Sequence, residues 1–180
     1  MYGGTTRLGM YKKCKTLKSS ERQKEFEQTL LKMMERVSFS EITVVALCRE
    51  MGVPRKAFYR YFDRMEDVLD ALMDEILYSA FFHMEVRVEL EKFFAYWKQQ
   101  KSILDVLEKN GLSQKLMDRA FTFVMTSEHL DELTSTEMKY AGYVSAIMTL
   151  VIIWHHSGMR MSAEEMKGLT MEMFVQKLEN

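Results

Sequence analysis

Apolar residues along this chain recur at the three- and four-residue spacing of helices, and no stretch alternates as a strand would. Phe26, Leu30, Met33 and Val37 share one face of a helix predicted over 20–37, with Ser20 as its cap and Glu21 in its first turn. The Ser38–Glu41 stretch interrupts the pattern. Val44, Leu47, Cys48 and Met51 then mark a short second helix, capped by Thr43 and ended by Gly52. Pro54 opens a third helix, expected to run to about Tyr61, because a proline at the first helical position forfeits no hydrogen bond. Asp63 and Glu66 read as a capping pair for a long helix burying Val68, Leu69, Leu72, Met73, Ile76 and Ala80. Further helices are expected at 87–99, 101–109, 112–128, 135–157 and 162–178. The pattern predicts an all-α fold of about nine helices.

Within the third helix the residues divide into two faces. Arg55 and Tyr59 lie four apart, as do Lys56 and Arg60, and these four share one side. Phe58 and Phe62, also four apart, lie opposite and are expected to anchor the helix in the core. A basic face held by a buried aromatic pair can enter a DNA major groove, where Arg or Lys donates to guanine O6 and N7. The hydroxyls of Thr43, Tyr59 and Tyr61 suit phosphate oxygens. Helix, glycine turn and second helix together form a helix-turn-helix pattern.

Charge strengthens that picture. Residues 1–64 carry 14 Lys and Arg against 7 Asp and Glu, whereas residues 65–180 carry 11 against 19. A basic first third on an acidic body points to an anionic partner for the first part only. Residues 1–19 hold Arg7, Lys12, Lys13, Lys15 and Lys18 without periodicity and read as a mobile basic arm. Two cysteines, Cys14 and Cys48, argue against a disulfide framework and suit a reducing, cytoplasmic setting. No run approaches the roughly 18 apolar residues of a membrane span, and no leader pattern opens the chain.

Phe39 to Leu72, FSEITVVALCREMGVPRKAFYRYFDRMEDVLDAL, resembles the helix-turn-helix signature of the TetR family of bacterial transcription regulators. The matching features are Ile42-Thr43-Val44, the small Cys48, Gly52-Val53, Phe58-Tyr59-Arg60-Tyr61-Phe62 and Glu66-Asp67-Val68-Leu69. A weaker likeness to the family's last helix pair covers Tyr140 to Phe174. Three features depart from the pattern: Pro54 replaces the usual Ser opening the recognition helix, Met65 replaces the usual Lys opening the fourth helix, and Val45 and Ala46 stand where the outer face of helix two often carries a charge pair.

The resemblance implies an arm at 1–19, a DNA-binding domain at 20–64 and a helical dimerisation and ligand-binding domain at 65–180. It implies a homodimeric, sequence-specific regulator, a repressor, that binds a palindromic double-stranded operator and is released by a small apolar effector or a protein partner. DNA contacts are expected from Thr43, Arg55, Lys56, Tyr59, Arg60, Tyr61 and Arg64, the last standing in for the Lys missing at Met65.

Tyr140 to Trp154 is apolar nearly all round, so more than one neighbour must cover it. Gly142, Ala146, Leu150 and Trp154, with Met166 and Met173 of the last helix, are expected to build a two-fold interface. Twelve of the 17 methionines follow residue 64. Together with Phe93, Tyr96, Trp97, Phe121, Met125 and Tyr143 they would suit an apolar ligand pocket; the same residues suit a plain core equally well. Enzyme chemistry finds no support. The histidines His83, His129, His155 and His156 show no metal-ligand spacing, adjacent His155 and His156 diverge by about 100° on a helix, and no phosphate-binding loop or nucleophile elbow occurs. No metal, cofactor or catalytic set is expected. A helical adaptor acting through protein contacts and an apolar-ligand carrier remain open as other classes.

Overall fold

The computed structural model describes residues 17–82, 89–124 and 134–175. Their regular elements are all helical: α1 (Leu17–Met34), a 3-10 turn (Phe39–Glu41), α2 (Val44–Glu50), α3 (Arg55–Phe58), α4 (Met65–Phe82), α5 (Leu90–Gln99), α6 (Lys101–Lys109), α7 (Ser113–Val124), α8 (Ser135–His156) and α9 (Ala163–Val175). Among the described residues there is no strand, and no helix is long and apolar enough to cross a membrane. The chain divides into two compact units, Met1–Ile76 and Leu77–Asn180. The division falls inside α4, beyond the Arg64–Met65 step where the sequence suggested it.

Phe26 of α1 is the hub of the first unit. Its ring meets Phe58 at 5.7 Å and Phe62 at 5.8 Å, both edge-on, and Tyr61 at 6.0 Å. Such pairs add about 0.5–1.5 kcal/mol each beyond the area they bury. Leu30, Met34 and Leu47 complete a centre fully closed to solvent.

The turn after α2 is a Schellman motif. Gly52 N–H donates to Arg49 O at 3.1 Å and Val53 N–H to Cys48 O at 2.9 Å. This closure needs a left-handed residue, which Gly52 supplies at φ +65.

Several helix ends differ from expectation, each for a local reason. α1 is already helical at Leu17, ahead of Ser20, and stops at Met34, so Val37 lies beyond it and is exposed. Pro54 sits at the cap of α3, not inside it, with an extended ψ of 148. The α-helical part of α3 ends at Phe58, and the chain winds on through two turns in which Tyr61 and Phe62 N–H both donate to Phe58 O. At α4 the acid that reaches back is Asp67 rather than Glu66. It accepts from Asp63 N–H at 2.9 Å and Arg64 N–H at 2.8 Å. The helix starts at Met65, which makes Asp67, not Glu66, its third residue.

In the second unit α5 packs on α9 and α7 on α8. α5 buries Leu90, Phe93, Phe94 and Trp97, while α8 buries Val144, Ile147, Met148, Val151 and Trp154 along one face. Phe94 meets Trp154 edge-on at 5.8 Å.

Candidate nucleic-acid interface

α3 and the turns that continue it to Phe62 present the two faces the spacing dictates. Phe58 and Phe62 are wholly buried, whereas Arg55, Lys56, Tyr59 and Arg60 are exposed. The Arg55 guanidinium donates to the Tyr59 hydroxyl at 3.4 Å, and the Tyr59 ring rests edge-on against Phe58 at 5.3 Å. The buried pair thus fixes the level at which the cations stand. Thr43 is exposed and caps α2, its hydroxyl oxygen accepting Ala46 N–H at 3.2 Å. Its O–H proton remains available to an acceptor. Tyr61 is half-buried against Phe26. Arg64 extends into solvent and meets buried Asp67 at 3.5 Å, which ties it to the start of α4.

Beside α3 lies a cleft of about 430 Å³, lined by Lys18, Ser19 and Arg22 of α1 and by Val53, Pro54, Ala57, Arg60 and Tyr61. Lys18 and Arg22 of α1 thereby converge with Arg60 of the turn that follows α3. Sequence reasoning assigned Lys18 to the arm and passed over Ser19 and Arg22. The signal that could have found them is the four-residue spacing of Lys18 and Arg22 on one helix face. Arg22 also pairs with Glu25 at 2.6 Å, so part of its charge is already answered. The arm residues Arg7, Lys12, Lys13 and Lys15 lie outside the described residues. Cys48 is buried beneath this face. Burial pushes its thiol above the ordinary range, with the nearby Arg55 charge opposing in part.

The residues proposed for an apolar pocket, as far as they are described, differ in burial and in partners. Phe93 and Trp97 are wholly buried core, their rings 6.2 Å apart, with Tyr96 against Trp97 at 5.8 Å. Phe121 is 45% exposed on α7. Tyr143 packs on Phe174 at 4.9 Å, and burial raises the pKa of its hydroxyl, with Tyr140 adding to the effect. Met125, His83 and His129 lie outside the described residues.

The interface candidates separate by burial. Trp154 and Met166 are buried by their own chain, Ala146 and Leu150 are half-buried, and Gly142 and Met173 are exposed. The uncovered face of α8 runs through Met138, Gly142, Ala146, Thr149 and Ile153, with Met138 at 57% and Ile153 at 59% exposure. Leu169 and Met173 expose a matching pair on α9.

His155 and His156, expected to diverge too far to share one metal easily, are approached by a common carboxylate. Glu108 of α6 enters between them, its two oxygens 3.5 Å from His155 Nδ1 and 3.1 Å from His156 Nε2. One candidate ligand atom from each of the three residues lies within 4.8 Å of the others. The backbone vectors do diverge, but a carboxylate from another helix spans the gap. His155 Nε2 also meets Asp105 Oδ1 at 2.7 Å. Lys101 first, and then His155, holds the Asp105 carboxyl below its usual range by hydrogen bonding.

Neither a scan of protein-family models nor a search of curated proteins found a match to this chain.

Proposed function

We propose that the chain is a sequence-specific DNA-binding regulator of the helix-turn-helix class, acting as a homodimeric repressor on a palindromic operator. The observation that carries the reading is the two-faced α3: Arg55, Lys56, Tyr59 and Arg60 stand exposed over buried Phe58 and Phe62, directly after the Schellman turn at Gly52. In this reading α3 enters the major groove, and Arg55 and Lys56 donate to base edges. Lys18, Arg22 and Arg60, with the hydroxyls of Thr43 and Tyr61, hold the flanking phosphates and set the register. A second copy, joined through the uncovered α8 face, supplies the second α3. The role is binding rather than catalysis, and release by an apolar effector or a protein partner belongs to the same reading.

Selection of bound duplexes from a random pool, followed by fluorescence anisotropy, tests it. The expected result is one enriched palindrome. Arg55→Ala and Lys56→Ala should each cost about 1–3 kcal/mol and relax preference at particular base pairs. Lys18→Ala should instead weaken all sequences and lower the slope of log K on log salt by about 0.9. A pool without enrichment, from a chain that remains folded, would favour the adaptor class over the regulator.

A further inference from the structure

α6 and α8 end close together, and four chemistry-bearing side chains meet there. Asp105 and Glu108 lie three apart on α6, one turn of helix, and so share a face. His155 and His156 close the last turn of α8, where the unsatisfied carbonyls of a helix C-terminus favour positive charge. Gly158 and Met159, both with positive φ, fold the chain back behind them, and Met159 N–H donates to Trp154 O at 2.9 Å. His155 is thereby held in a buried, fixed position, its side chain 3% exposed.

Both ring nitrogens of His155 face carboxylate oxygens: Nε2 lies 2.7 Å from Asp105 Oδ1 and Nδ1 3.5 Å from Glu108 Oε2. Asp105 is an ionised acceptor, anchored on its far side by Lys101 Nζ at 2.9 Å to both oxygens. His155 Nδ1 and the Glu108 carboxylate thus stand opposite one another, and in the tautomer whose Nε2–H donates to Asp105 the Nδ1 atom can serve as a metal ligand. His156 Nε2 approaches the other Glu108 oxygen.

We propose that Glu108, His155 and His156 form a surface site for a borderline divalent transition cation, with Zn2+ as the type ion and Asp105 as the residue that orients His155. A tetrahedral centre with bonds of about 2.0–2.1 Å places its ligand atoms about 3.3 Å apart. The candidate ligand atoms of the three residues lie within 4.8 Å of one another, with His156 Nε2 3.1 Å from one Glu108 oxygen and His155 Nδ1 3.5 Å from the other. Two imidazoles and one carboxylate select zinc, cobalt, nickel or copper over magnesium and calcium, which prefer all-oxygen shells. Carboxylate, histidine and metal in series is the usual way such an imidazole is fixed in tautomer and direction. Glu108 and His156 are about half exposed, so the ion can enter from solvent and keep an open position there. Bound, it would tie the end of α6 to the end of α8.

The test uses the untagged full-length chain, stripped with a chelator and desalted. ZnSO4 is titrated by calorimetry, and Co2+ is the optical probe. One saturable Zn2+ per chain is expected, undisturbed by excess Mg2+, with Co2+ giving a tetrahedral spectrum. His156→Ala and Glu108→Gln should each weaken binding at least about tenfold, and Asp105→Asn by about 10- to 100-fold. Circular dichroism of the metal-free variants should match the parent, since both altered ligands lie at the surface. The proposal is overturned if the parent shows no saturable site. It is equally overturned if His156→Ala and Glu108→Gln bind as the parent does, or if Cys14→Ser removes the binding that His156→Ala keeps.

Discussion

Gly142 gives the proposed dimer a test in which the two possible outcomes have opposite signs. A Cβ built at this position meets nothing within 4 Å, so the chain's own packing leaves room for a side chain. In a lone protomer Gly142→Leu should therefore stabilise α8, because leucine is favoured over glycine in a helix interior by up to about 0.8 kcal/mol. If the Met138–Ile153 face meets its symmetry mate, the same leucine overpacks the contact. Overpacking costs about 1–3 kcal/mol per site, and a two-fold interface contains the site twice, giving about 2–6 kcal/mol. At 1.4 kcal/mol per tenfold, the dimer Kd should rise between about thirtyfold and about 10^4-fold. Adding Ala146→Leu, one turn along the same face, should push it further. Sedimentation velocity over a range of concentrations reads the association, and circular dichroism melting reads the protomer. The expected result is a monomer that melts no lower than the parent protomer. A variant that melts higher and still associates like the parent would place any two-fold surface elsewhere, and a parent that is monomeric throughout would remove the homodimer.

Two further outcomes follow from neighbouring residues and from one cap. Phe58→Ala opens a cavity among Phe26, Phe62 and Tyr59 and should cost about 3–5 kcal/mol, while Tyr59→Ala, at a position 42% exposed, should cost about 1 kcal/mol or less; equal losses in urea denaturation would contradict the two-faced reading of α3. At the start of α9, Ser162 N–H donates to Glu165 Oε2 at 2.6 Å and the Ser162 hydroxyl accepts Glu165 N–H; hydrogen bonding to the carboxyl from the Ser162 backbone first, and then from its hydroxyl, holds Glu165 below its ordinary 4.5. A depressed carboxyl stabilises above its unfolded value and loses that contribution as pH falls through the folded one. The parent's melting temperature should thus fall more steeply with acid below pH 4.5 than that of Glu165→Gln; parallel profiles would show that this cap adds nothing.

Periodicity carried most of the helical layout. Lys101–Lys109 and α8 were legible because apolar spacing and a following glycine both mark their ends. Helix starts were less legible, since they depend on which side chain reaches back: Asp67 and Glu66 are adjacent acids, and only the backbone's entry angle chooses between them. α8 shows a different limit. A helix apolar on all sides does not declare which side its own chain covers, so Trp154 was assigned to a two-fold interface although its own chain buries it. The group at Glu108 and His155 was illegible for a third reason. It joins residues of two helices far apart in sequence, and local spacing, which made His155 and His156 look divergent, carries no information about a carboxylate arriving from elsewhere. Lys18 was missed because a helix start was read too late.

Buried Cys48 makes the first unit's opening equilibrium readable as a reaction rate. A thiol reagent reaches its sulfur only when α2 lifts from the surrounding core, and the raised thiol pKa keeps the closed state inert as well. Where reclosing outruns reaction, labelling at Cys48 proceeds at the rate of an exposed thiol multiplied by the fraction of molecules open. Any duplex that binds only the closed unit lowers that fraction by the factor 1 + [L]/Kd. The side chain that packs beneath the basic face thus converts occupancy of that face into the lifetime of a covalent label.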